Sequence, residues 1–208
     1  MAEEEISKIE IKLKKIINII QDQEKIPVSY KVDFGNLSSV VKFHLKQIKP
    51  DVILINQDRL IKNTLTRKII PDYLDEFKGP IVLSDDKSYT LPKKKFKLSC
   101  FKPEVFFEEN KVIKKLLKNS FPTINIFHSI TNNKGFFVQK SKEVLENEFN
   151  IFEFQTNNEN LGILKYLKYT NSDLLCIDDP VKNGRKKQYE QYINIVNKSK
   201  TPLLIIKN

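Results

Sequence analysis

Asp173-Leu174-Leu175-Cys176-Ile177 and Pro202-Leu203-Leu204-Ile205-Ile206 are two short, continuous apolar runs, separated by a charged stretch of helical length. A run without polar alternation describes a strand covered on both faces, the usual state of strands in a parallel sheet. Working back from this pair, Lys97-Leu98-Ser99-Cys100-Phe101, Thr123-Ile124-Asn125-Ile126-Phe127-His128 and Ile151-Phe152-Glu153-Phe154 also read as strands. Helical spacing predicts helices over about 104–119, 138–149, 159–171 and 185–199, and Thr131–Gly135 forms a loop. In the first of these helices Val112, Ile113, Leu116 and Leu117 share one face. Five strands alternating with four helices, joined by right-handed crossovers, predict an α/β fold with a doubly wound, parallel five-stranded sheet over residues 96–208.

The preceding residues repeat part of this pattern. Lys49-Pro50-Asp51-Val52-Ile53-Leu54-Ile55 parallels Asn171-Ser172-Asp173-Leu174-Leu175-Cys176-Ile177, and Gly79-Pro80-Ile81-Val82-Leu83 parallels Thr201–Ile206. Each pair is separated by a helix of similar length, the first over about 58–77 and bent near Pro71. Ile6, Ile9, Leu13, Ile16, Ile17 and Ile20 fall on one face of a helix over about 3–25, which Pro27 ends. Val28-Ser29-Tyr30-Lys31-Val32-Asp33-Phe34 alternates like a half-buried strand, and Val40, Val41, His44, Leu45 and Ile48 mark a further helix. Residues 1–84 therefore read as an incomplete copy of the same unit, without its opening strand–helix–strand. The polar stretch 85–95, with Pro92 in it, is the expected linker.

Composition narrows the function. No apolar run approaches the roughly 20 residues of a membrane helix, and the start Met1-Ala2-Glu3-Glu4-Glu5 is acidic, the opposite of a signal peptide. Cys100 and Cys176 lie inside strand-like runs with no CxxC pairing, so buried free thiols and a reducing, cytoplasmic setting are expected. The net charge of +10 raises the question of nucleic acid. Nearly all of it is lysine, with Arg59, Arg67 and Arg185 the only arginines, and lysine lacks the planar fork that reads phosphates and bases. The basic clusters Lys93-Lys94-Lys95 and Arg185-Lys186-Lys187 contain no aromatic platform for stacking bases. These features argue against nucleic acid and for a solvated basic surface, leaving a nucleic-acid-associated basic protein as a second alternative.

The stretch Val32–Val41, continuing through Asp51-Val52-Ile53-Leu54-Ile55, resembles the third strand, glycine turn, following helix and fourth strand of universal stress proteins, particularly the tandem-domain type. The Pro-Ile-Val-Leu and Pro-Leu-Leu-Ile-Ile strands resemble that family's last strand. The resemblance implies a Rossmann-like, universal-stress-protein-like fold over almost the whole chain. It also implies a stress-response role and pairing through the last strand, as a homodimer or between the two copies within the chain. Residues Leu203, Leu204, Ile205 and Ile206, with Ile81, Val82 and Leu83, are the expected interface, because a uniformly apolar strand at a sheet edge is otherwise unprotected.

The family's nucleotide chemistry is missing from these residues. Its ATP-binding members place an aspartate at the end of the first strand and a G-x2-G-x9-G-[ST] loop after the fourth, where chains without Cβ bring amides close to phosphate. Here Asn56-Gln57-Asp58-Arg59-Leu60 follows Ile55 with no glycine before Gly79. Asp178-Asp179-Pro180-Val181-Lys182-Asn183-Gly184 follows Ile177, and the strand ending Ser99-Cys100-Phe101-Lys102 carries no aspartate. No cofactor is expected, and no enzymatic activity.

The leading reading is thus a non-catalytic regulatory or interaction module with a protein partner, and ATP not bound by the family's mode. The alternative is a small-ligand or nucleotide binder at the carboxyl edge of the sheet, where open α/β sheets hold ligands. Its candidate residues are Asp178, Asp179 and His128; plainer roles are an acidic turn before Pro180 and a histidine closing a strand. His44 has no neighbour suggesting a triad or metal site, and Ser99-Cys100 lacks the glycines of a nucleophile elbow. Tyr166, Tyr169, Tyr189 and Tyr192 recur at helical spacing and read as packing or interface residues.

Overall fold

A computed structural model describes residues 2–56, 77–84, 95–101, 111–130, 148–155, 159–179 and 185–207. Its strands are β1 (Ile53–Asn56), β2 (Ile81–Ser84), β3 (Leu98–Phe101), β4 (Thr123–Ser129), β5 (Glu148–Phe154), β6 (Leu174–Asp179) and β7 (Leu203–Lys207). They form one seven-stranded sheet in the order β1-β2-β7-β6-β3-β4-β5. From β5 to β7 every neighbour is parallel, as are β1 and β2, while β2 meets β7 antiparallel. The order β5-β4-β3-β6-β7 is that of a doubly wound sheet, whose winding reverses between β3 and β6. The expected α/β fold is present.

The described helices are α1 (Ala2–Glu24), α2 (Leu37–Ile48), α3 (Lys111–Asn119), α4 (Glu159–Thr170) and α5 (Arg185–Ser199). α2 shows why its ends fall where they do. The Asn36 side chain accepts from the Ser39 amide at 3.2 Å, capping the first turn. Lys49 turns left-handed (φ 48°) and its N–H closes on the Leu45 carbonyl, after which Pro50 prevents continuation.

Alternation along the strands sends side chains to two cores. On one face Ile81, Leu83, Leu175, Ile177, Leu203 and Ile205 meet Ile163 and Leu167 of α4 and Tyr192, Ile193, Ile195 and Val196 of α5. On the other, Leu98, Cys100, Ile124, Cys176, Leu204 and Ile206 meet Leu117 of α3. Each such aliphatic side chain contributes about 1.5–3 kcal/mol on burial, so the central strands dominate stability.

Several expectations change. β7 is interior rather than at a sheet edge, because β2 occupies its open side with Ile81 opposite Ile205, Val82 opposite Leu204 and Leu83 opposite Leu203, the intrachain pairing that was one of the two expected for these residues. Residues 28–34 form no strand. Alternation makes a strand only against a neighbour, and among the described residues the N-terminal part supplies only β1 and β2. β1 is an outermost strand, not one covered on both faces: Leu54 is 70% exposed. β5 begins at Glu148, so residues 148 and 149, expected to end a helix, are strand. The helix over 58–77, the loop 131–135, most of the 138–149 helix and nearly all of the 85–95 linker lie outside the described residues. The strands on either side of that linker belong to the same sheet. Among the described residues no helix is long and apolar enough to cross a membrane.

Candidate functional site

The carboxyl edge of the parallel strands is the place to look first. Register sets Phe101 of β3 opposite both Phe127 and Ile177. His128 and Asp178 therefore lie one step further along β4 and β6, at the same level on either side of β3, about 10 Å apart at two strand spacings. Asp179 follows at the end of β6, opposite Lys207. The fold thus brings the three sequence candidates to one edge, at the switch of winding. His128 is buried, with Nδ1 3.9 Å from Oε1 of Glu153 on β5. That separation is too long for a hydrogen bond. Among the described residues no group of three His, Cys, Asp or Glu side chains could hold a metal ion.

The connection after β6 decides what the edge can cradle. β6 ends at Asp179 and α5 begins at Arg185, leaving residues 180–184 with the single glycine Gly184. The sequence of that connection does not contain the G-x2-G-x9-G-[ST] spacing.

At the amino edge the polar groups serve structure. Thr170 Oγ1 donates to the Tyr166 carbonyl (2.8 Å), so it accepts from Ser172 Oγ (2.6 Å), which in turn accepts from Ser99 Oγ (2.5 Å). This chain satisfies buried hydroxyls where β3 and β6 begin, and it gives Ser99 no base to activate it. Cys100 and Cys176 face each other across β3 and β6 as buried free thiols. A hydrogen bond with Cys100, then burial, pushes the Cys176 thiol well up, which makes it unreactive.

A second concave surface lies where α4 crosses β5. Tyr166 packs among Phe127, Phe152 and Phe154 with ring centroids 5.1–5.9 Å away, and its hydroxyl donates to the Glu153 carbonyl at 3.3 Å. Phe152 presents an edge-on contact to Tyr169 at 6.1 Å. Phe152, Tyr166 and Tyr169 with Lys165 and Lys168 line a cavity of about 580 Å³. A neighbouring cavity of about 420 Å³ shares Phe152 and Tyr169 and adds Lys97, Thr123, Asn125 and Asn150. Sequence spacing pointed to Tyr166 and Tyr169 as packing or interface residues; Tyr166 packs against the core, while Tyr169 is exposed. Asn125 and Asn150 carried no signal, since only register makes them neighbours on one face.

No protein-family model and no curated protein sequence matches the chain. Among solved structures, a universal stress protein from Archaeoglobus fulgidus DSM 4304 superposes with a TM-score of 0.68 at 13% identity, covering 100% of this chain and 78% of that one. At that identity the likeness speaks for the fold, and it agrees with the strand order and winding described above: the chain has a universal-stress-protein-like α/β fold.

Proposed function

We propose that the protein is a non-catalytic regulatory or interaction module built on the universal-stress-protein scaffold, and that it does not hold ATP in that family's manner. The observation that carries this reading is the connection of residues 180–184 between β6 and α5. Phosphate binding by backbone amides needs a glycine-rich loop there, and five residues with one glycine do not supply it. A role in interaction is supported by α1, whose Ile9, Ile11, Ile16 and Ile19 are all exposed.

Thermal unfolding with ATP, AMP, cyclic nucleotides and Mg²⁺ tests the reading. A ligand at a hundredfold its Kd adds about 2.7 kcal/mol, a shift of roughly 5–10 °C in a chain of this size. The expected result is no shift with Mg·ATP; a reproducible shift of that size overturns the proposal.

A further inference from the structure

Along the sequence the basic clusters and the aromatic residues are separate, but the fold brings lysines and rings together at the α4–β5 groove. Tyr166 is committed to the core, its ring held by three phenylalanines. Tyr169 is not: it is 78% exposed, touching Phe152 edge-on while presenting its ring to solvent. Lys165 and Lys168 flank the two tyrosines on α4, and Lys97 stands at the far end of the groove. Between them Asn125 and Asn150, register partners on β4 and β5, offer amides along its floor. Among the described residues no carboxylate lines either cavity.

We propose that this groove binds single-stranded nucleic acid. Bases stack on Tyr169 and Phe152, phosphates are neutralised by Lys165, Lys168 and Lys97, and the Asn125 and Asn150 amides meet exposed base edges. Stacking requires an unpaired base, since a duplex keeps its ring faces covered. Lysines act as point charges along a backbone rather than as forks reading base edges, so binding is tolerant of sequence. An acidic peptide would satisfy the lysines but leave the ring faces unused. The net charge of +10 adds long-range attraction for a polyanion. The groove reaches toward the amino ends of β3 and β4, away from the carboxyl edge, so the proposal stands or falls independently of the ATP reading.

Fluorescence anisotropy with labelled oligothymidylate and oligouridylate of about 12 nucleotides tests it on the full chain. Wild type binds with affinity that falls as salt rises. Tyr169→Ala weakens binding about tenfold or more, while Tyr169→Phe, which keeps the ring, preserves it. Lys165→Glu with Lys168→Glu weakens binding and reduces the salt slope by about 1.4, the value for two single-strand phosphates. Lys12→Glu with Lys15→Glu, equally exposed charges on α1, leaves affinity within about twofold. Because Tyr169 is exposed, its variants keep the wild-type melting temperature, and that is measured alongside. The proposal is overturned if no binding occurs at low salt, if the α1 control loses as much as the groove variants, or if duplex DNA binds as tightly as single strands.

Discussion

Asp33 holds the irregular segment after α1 against α2. Its carboxylate accepts a hydrogen bond from His44 Nε2 and lies 3.5 Å from Lys31 Nζ. The His44 hydrogen bond, helped by the Lys31 charge, lowers its pKa from the ordinary 3.8. A carboxylate whose folded pKa is depressed stabilises above its unfolded pKa, and that contribution disappears as pH falls through the folded value. His44→Ala is expected to return the Asp33 titration, followed by NMR, toward 3.8. Wild type should then exceed the variant in stability at neutral pH, with this electrostatic part of the difference starting to fade near 3.8 and lost as pH falls through the lowered folded value. An unchanged Asp33 titration would remove His44 as the cause. Nothing in the sequence joined these residues: strand-like alternation holds Asp33 and helical spacing holds His44, but neither pattern tells where the two segments meet. The Ser99–Ser172–Thr170 chain and the Asn125–Asn150 pair were hidden for the same reason: side-chain neighbours across strands are set by register, and spacing along the chain does not give register.

Among elements, the strands announced by continuous apolar runs, such as β6 and β7, were legible because burial on both faces leaves no room for polar alternation. β5 was half legible. Its first residues, Glu148-Phe149-Asn150, contain no apolar run and become strand because β4 offers a partner over its full length. Residues 28–34 fail in the opposite direction, with alternation but no neighbour. The fit of α4 on β5 depends on Gly162, where an added Cβ would fall 2.3 Å from the Phe154 ring. Alanine gains about 1 kcal/mol in helix propensity, while overpacking a half-buried ring costs about 1–3 kcal/mol. Gly162→Ala is therefore expected to be net destabilising by about 1 kcal/mol in urea denaturation. A stabilised variant would show that Phe154 yields freely.

At the scale of the whole molecule, the antiparallel β2–β7 junction joins the N-terminal residues to the five parallel strands. Residues 96–208 expressed alone would leave the apolar β7 strand with one open edge. Such an edge is a template for pairing, so this fragment is expected to self-associate in light scattering where the full chain does so less; a monodisperse monomeric fragment would contradict it. The scaffold was legible in the sequence because topology follows from the alternation of strands and helices. The groove at α4 was not, because it is assembled from residues spread from Lys97 to Thr170 that only the sheet's register brings together. The carboxyl edge lies between these cases: its residues were named from sequence, and the structure adds how short the connection after β6 is. Titration calorimetry of Mg·ATP into the full chain tests the central claim most directly. The account predicts no saturable binding at the carboxyl edge; stoichiometric binding that persists unchanged in Tyr169→Ala would contradict it.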